Sequence, residues 1–252
     1  MTIEPFSVAV VLPPQDDLLS KIKASTLTLE EHDVVALSSK VVSIWQGRCV
    51  PHDRAKKDEL IKQEAALYLE RSESPGGAVI QTIRGGLLMP SAGIDPFAGY
   101  YVLPIDKPQE TAEELLKWFK KEYGIENLYL VITDSRSMPL RRGVVGAAVA
   151  WAGFSPLYDG RNRTDLSGAP TGGSQVNVAD SIAAAAVLAM GEANEGTPLA
   201  RLRGVPYVAE PRVDREARFN EYEIPMAEDI YAPFFKNAPW QKGGKQDTKP
   251  TP

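Results

Sequence analysis

Two residue types that dominate metal and redox chemistry are almost missing. The 252-residue chain has one cysteine, Cys49, which excludes an internal disulfide framework and fits a reducing cytoplasm. Its two histidines, His32 and His52, are too few for a His-rich metal centre and argue against zinc. A surplus of positive charge is also missing: the net charge is −5 and the pI about 5.3, with no basic block, so no nucleic-acid footprint is expected. Apolar runs are broken by Gly, Pro or polar residues well short of the roughly 20 needed to span a bilayer. The first seven residues carry Glu4 and no basic region, so no secretory signal is expected. No G-x-x-x-x-G-K-[ST], no G-x-G-x-x-G after a strand and no G-x-S-x-G occurs, which argues against P-loop, dinucleotide-binding Rossmann and serine-hydrolase chemistry.

What is present is an ordinary globular composition, 43% hydrophobic and 24% charged, long enough for one large domain or two small ones. Apolar runs at Val8–Leu12, Asp33–Leu37, Ala78–Ile83, Tyr100–Leu103 and Leu128–Ile132 read as strands. Helical spacing of Leu60, Ile61, Ala65, Tyr68 and Leu69 reads as one helix face over Asp53–Arg71. Thr111–Tyr123 reads as a helix opened by a Thr111/Glu114 capping box and closed by Gly124. Ser74-Pro75-Gly76-Gly77 is a turn, and Leu87–Gly99 reads as a loop. Val144–Phe154, small and apolar, reads as a strand or strand pair that another backbone can approach closely. Ser155–Ser174 is long and irregular. Val178–Met190 reads as a buried helix, Arg212–Arg218 as an exposed charged stretch, and Gln241–Pro252 as a disordered polar tail. Strands and helices without strict alternation predict an α+β fold of mixed sheets, with no internal repeat.

The chemistry concentrates at strand ends. The 128–132 run delivers Asp134 and Ser135 to one edge and, after Pro139, Arg141 and Arg142. A carboxylate beside a hydroxyl suits a hard cation such as Mg²⁺ or Mn²⁺, and arginines suit phosphates or carboxylates. Asp95 lies in a Gly-Ile-Asp-Pro loop. Ser39-Lys40 follows a strand, where an ammonium and a helix start would suit a phosphate. Gln175, Asn177 and Asp180 open the buried helix. Each has a plainer reading: Asp95 an Asx turn, Asp180 a helix cap, Lys40 a solvated lysine, Gln175 ordinary loop.

Taken together and in order, several stretches resemble the coenzyme F-420-0:L-glutamate ligases, or γ-glutamyl ligases, from about Val8 to Trp240. They are Asp33-Val-Val-Ala-Leu-Ser-Ser-Lys-Val-Val-Ser43, Ser91-Ala-Gly-Ile-Asp95, Ile132-Thr-Asp-Ser135 with Pro139-Leu-Arg141, Gly143 to Gly153, and Asn177-Val-Ala-Asp180 on to Glu192. Gly99-Tyr-Tyr-Val-Leu-Pro104, Thr197-Pro-Leu-Ala200, Val205-Pro206 and Glu228-Asp-Ile-Tyr-Ala-Pro233 resemble a bacterial branch tied to folate metabolism. The resemblance implies a two-lobed α+β domain over residues 1–240, usually a homodimer. It implies GTP (or ATP) as phosphoryl donor, two divalent metals, L-glutamate, and an acceptor carboxylate on a folate or coenzyme F-420-0. By position it implies Asp95, Asp134, Ser135 and Gln175 as metal ligands. Leu12, Pro13, Ser39, Lys40, Gln175 and Asp180 would contact nucleotide, and Asp95, Asp134 and Arg141 would serve catalysis. Two positions depart from the pattern: Ile44 stands where a second lysine is common, and Ala98 where an asparagine is. A non-catalytic binding relative, or a metal-dependent phosphotransferase, would fit the same residues.

Overall fold

The computed structural model describes residues 1–160, 164–169, 175–209 and 222–245. Its centre is a five-stranded sheet in the order β1–β13–β2–β9–β10, where β1 is Thr2–Phe6, β2 Val34–Ser38, β9 Tyr129–Ser137, β10 Val144–Ala152 and β13 Leu199–Arg203. β2 and β9 run parallel, with Val34 beside Tyr129 and Ser38 beside Thr133; the remaining pairings are antiparallel.

Period-two alternation sends the strand residues to two cores. Val35, Leu37, Leu130 and Ile132 face three helices, α1 (Leu18–Lys23), α2 (Ser39–Trp45) and α4 (Pro108–Tyr123), which contribute Ile22, Val42, Leu115 and Phe119. Val34, Ala36, Tyr129 and Val131 face α5 (Val178–Met190) through Ile182, Ala183 and Ala186. α5 presses so closely on β10 that a Cβ on Gly146 would lie 2.4 Å from the Ala183 carbonyl oxygen.

Residues 49–103 form a second, smaller unit between α2 and α4. A three-stranded sheet joins β3 (Cys49–Pro51), β8 (Tyr100–Val102) and β7 (Asp95–Phe97). A four-stranded sheet runs β14–β4–β5–β6, from Gln241–Lys242, Leu67–Tyr68, Gln81–Arg84 and Leu87–Pro90. Leu60 and Ile61 of α3 (Lys57–Glu64), with Ile80, Ile94 and Leu103, fill its core. The fold is α+β, as the sequence pattern predicts.

Several local expectations change. The first strand is Thr2–Phe6 rather than Val8–Leu12; Pro5 is tolerated because β1 lies at the sheet edge. The 53–71 helix is confined to Lys57–Glu64, because Ala65 turns extended and Leu67–Tyr68 pairs with β5. The loop 87–99 contains β6 and β7. α4 starts at Pro108, so Thr111 sits inside its first turn, buried, with its hydroxyl bonded to the Asp106 and Lys107 carbonyls rather than capping. Gln241–Lys242 pairs with β4 instead of trailing as a disordered tail. Within 155–174, Leu157–Asp159 pairs with Gln175–Asn177; residues 161–163, 170–174, 210–221 (with the 212–218 stretch) and 246–252 lie outside the described residues.

Candidate functional site

The apolar strand β9 runs on past Ile132 and carries Asp134 and Ser135 beyond Ser38, the last residue of its parallel neighbour. This is the carboxyl end of the parallel pair, where open sheets commonly bind ligands. α2 starts at the same edge, straight after β2, and places Ser39 and Lys40 in its first turn. The smaller unit closes over them through the Ser91–Asp95 segment. There Ser91, Ala92 and Gly93 have φ of 57°, 50° and 73°, three successive left-handed residues of which two carry side chains. The buried Thr82 hydroxyl holds that turn, accepting from the Ala92 N–H at 3.0 Å and donating to the Met89 carbonyl at 2.6 Å. A Cβ at Gly93 would sit 3.2 Å from Asp134 Oδ2, so this position is glycine both for its φ and for the room it leaves the carboxylate.

Lys40 Nζ lies 2.9 Å from Asp95 Oδ2, both partly exposed. Asp134 is half-buried at the junction. The Ser135 N–H donates to its Oδ1 at 2.9 Å, a weak local partner for a carboxylate so enclosed. Burial pushes the Asp134 carboxyl up to about 7; the Ser135 N–H and Lys40 oppose the rise, and Asp95 and Glu192 add to it.

Two cavities meet there. A cleft of about 460 Å³ is lined by Val8–Val11, Ile44, Ser135, the end of α5 and the Gly191–Pro198 loop. A pocket of about 50 Å³ is lined by Ser39, Ser43, Arg84, Leu87, Ile105 and Val149, among others. Lys40, Asp95 and Asp134 line both and form a shared wall. The cleft is within the size range of small-molecule and cofactor sites.

Of the residues the sequence singles out, Ser39, Lys40, Asp95, Asp134 and Ser135 come together here. Leu12 and Pro13 adjoin the cleft-lining 8–11 segment but line neither cavity. Arg141 is exposed in the β9–β10 turn, bonded to its own neighbour's carbonyl, and lines neither cavity, because β9 continues to Ser137 and carries the turn beyond the junction. Gln175 is exposed on β12 (Gln175–Asn177) and lines neither cavity. Asp180 takes the plainer role: it shares a reciprocal cap with Asn177, accepts from the Ala148 N–H at 2.8 Å and pairs with Arg136 at 3.4 Å. Ile44 stands buried on the cleft wall, and Ala98, with φ 46°, lines neither cavity. Sequence patterns assign no role to Glu192, Thr82 or Arg84.

Among the described residues no cluster of three or more His, Cys, Asp or Glu side chains converges on a point. Two carboxylates and a hydroxyl nevertheless suit Mg²⁺ or Mn²⁺, since such ions use one or two protein carboxylates and take their other ligands from phosphates and water. The fold and site thus define an α+β protein that gathers opposed charges at a strand-end cleft. The family model of F420-0:gamma-glutamyl ligases matches residues 10–204. Relatives called coenzyme F420:L-glutamate ligase include one from Methanopyrus kandleri, 32% identical over 81% of this chain and 87% of its own. Others come from Methanothermobacter thermautotrophicus, 37% identical over 75% and 82%, and from Archaeoglobus fulgidus, 30% identical over 89% and 96%. The chain belongs to the F420-0:gamma-glutamyl ligase family, a family of ligases.

Proposed function

We propose that this protein is a nucleotide- and divalent-metal-dependent ligase that joins L-glutamate, through an amide, to a carboxylate of a cofactor-like acceptor. The observation that carries the reading is the gathering of Lys40, Asp95, Asp134 and Ser135 on the wall of a 460 Å³ cleft. The family relatives named for coenzyme F420 and L-glutamate support the same class of acceptor and amino acid.

A free carboxylate does not form an amide unaided. In the proposed route an acceptor carboxylate oxygen attacks the γ-phosphorus of GTP or ATP, forming a C–O–P bond as the bond to the β-phosphate breaks and nucleoside diphosphate leaves. The glutamate amine then attacks the acyl carbon; C–N forms, C–O breaks, and phosphate leaves as the amine loses a proton. Asp95, Asp134 and the Ser135 hydroxyl would hold Mg²⁺ or Mn²⁺, which supply charge neutralisation on the triphosphate. Lys40 would leave Asp95 to meet the phosphates and offset their charge. Ile44 gives the cleft an apolar wall where a second lysine is common in the family. No described helix is long and apolar enough to cross a membrane.

A homodimer belongs to the same reading; exposed Met138, Leu140 and Val144 beside the β9–β10 turn support it. Light scattering on the eluting protein would then give about twice the 27.5 kDa chain mass.

The test of the activity is phosphate release with Mg²⁺ or Mn²⁺, GTP or ATP, and L-glutamate, offering coenzyme F420-0, a reduced folate or no acceptor. The reading expects release that needs both glutamate and one acceptor, with a mass gain of one glutamyl unit. Release independent of glutamate points to a phosphotransferase, and nucleotide binding without release to a non-catalytic relative.

A further inference from the structure

We infer that Thr82 is a positioning residue for the cation site, its buried hydroxyl setting where Asp95 stands relative to Asp134. This rests on the metal-dependent reading above and adds a residue that touches neither ion nor substrate.

The path from Thr82 to the two carboxylates is short. Thr82 lies on β5 opposite Met89 of β6 and has no solvent exposure. Its hydroxyl donates to the Met89 carbonyl and accepts from the Ala92 N–H, so it ties the end of the β5–β6 hairpin to the turn that follows. Around it, the Ser91 N–H donates to the Ile80 carbonyl at 2.8 Å and the Ile94 N–H to the Ser91 carbonyl at 2.9 Å. Next along the chain, Gly93 lies so close to Asp134 Oδ2 that a Cβ there would crowd it, and Asp95 reaches Lys40. One short segment therefore packs against the first carboxylate and carries the second.

That segment does not favour its own shape. Ser91 and Ala92 hold side chains at φ of 57° and 50°, where residues other than glycine are strained, so the backbone relaxes unless partners hold it. Backbone bonds hold Ser91 and Ile94. The Ala92 N–H is held by Thr82 Oγ1 at 3.0 Å, and Ala92 has no solvent exposure. Without that oxygen the N–H finds water only if the turn opens. An opened turn carries Gly93 and Asp95 away together, and a hard cation with few protein ligands needs those ligands held to a fraction of an ångström.

The test follows Mn²⁺ by the loss of free-ion EPR signal, with GTP present, in full-length protein shown by circular dichroism to be folded. Thr82→Val keeps the side-chain shape and removes the hydroxyl. Thr82→Ser and Thr82→Cys differ in little but oxygen against sulfur, the weaker acceptor, so this pair decides the matter even where Thr82→Val fails to fold. The expected result is Mn²⁺ affinity weaker by about 10-fold in Thr82→Val and by about threefold or more in Thr82→Cys, with Thr82→Ser close to wild type. In the metal-free proteins, amide hydrogen exchange across residues 91–95 should be faster in Thr82→Val and Thr82→Cys than in Thr82→Ser. Wild-type affinity in folded Thr82→Val, a Thr82→Ser that binds no better than Thr82→Cys, or exchange equal in all of them overturns the assignment and leaves the ligase reading intact. Absence of saturable Mn²⁺ binding to the wild type fails the metal-dependent reading and this assignment with it, before any variant is compared.

Discussion

Asp33 and Asp134 are enclosed carboxylates at opposite ends of the same parallel strand pair. Asp33 precedes β2, is fully buried, and is answered within the protein: Arg203 grips it with Nε and Nη2 at 2.8 and 2.9 Å, and the Glu30 N–H adds a third bond at 2.8 Å. Asp134, at the far end of β9, receives its neighbour's N–H, with Lys40 engaged by Asp95. A buried charge costs free energy unless paired. The fold meets that cost for Asp33 internally. For Asp134 it leaves the carboxyl raised to about 7 beside a cavity, the arrangement expected where a counter-charge arrives with the ligand.

The largest effect expected from breaking this contrast is on stability. Arg203→Met strands Asp33 in a site with no solvent exposure, and urea unfolding should show a loss of about 3–5 kcal/mol. Asp134→Asn should do the reverse: leave the metal-free protein folded and lower glutamate-dependent turnover on the order of 10²-fold or more.

The sign of the pH dependence follows from the raised carboxyl. Its protonated form is favoured by the fold, so its contribution is fully present below about pH 4 and is lost as pH rises through 7. Thermal unfolding of metal-free Asp134→Asn should therefore match wild type at pH 4, gain on it up to pH 7, and hold a constant advantage above. A constant offset at every pH would trace the difference to packing instead. A smaller effect is expected from the loop that frames Asp134. Thr82→Val removes the hydroxyl that holds the left-handed turn and should cost about 1–3 kcal/mol, because the buried Ala92 N–H loses its acceptor.

The sequence revealed the contrast only in part. Asp134 stood out because it follows an unbroken apolar strand, and the structure places it where the two cavities meet; α5 was legible from its apolar composition. Asp33 was invisible as a structural carboxylate, since its partner Arg203 lies 170 positions away on β13. Asp180 looked like a ligand for the same reason in reverse: nothing local shows that its oxygens are taken by Asn177, Arg136 and the β10 backbone. Val8–Leu12 had strand-like apolarity, yet Val8–Val11 lines a cleft, which a periodicity argument cannot separate from sheet pairing. The short strands at 87–90 and 95–97 were hidden because three or four residues carry too little pattern.

The most direct test of the central claim is Mn²⁺ binding, followed by the loss of free-ion EPR signal, to wild type and Asp134→Asn with GTP present. Saturable binding to wild type, weakened 10-fold or more in Asp134→Asn, is the predicted result. Equal affinity in the two proteins would contradict it, and would return Asp134 to the same structural standing as Asp33.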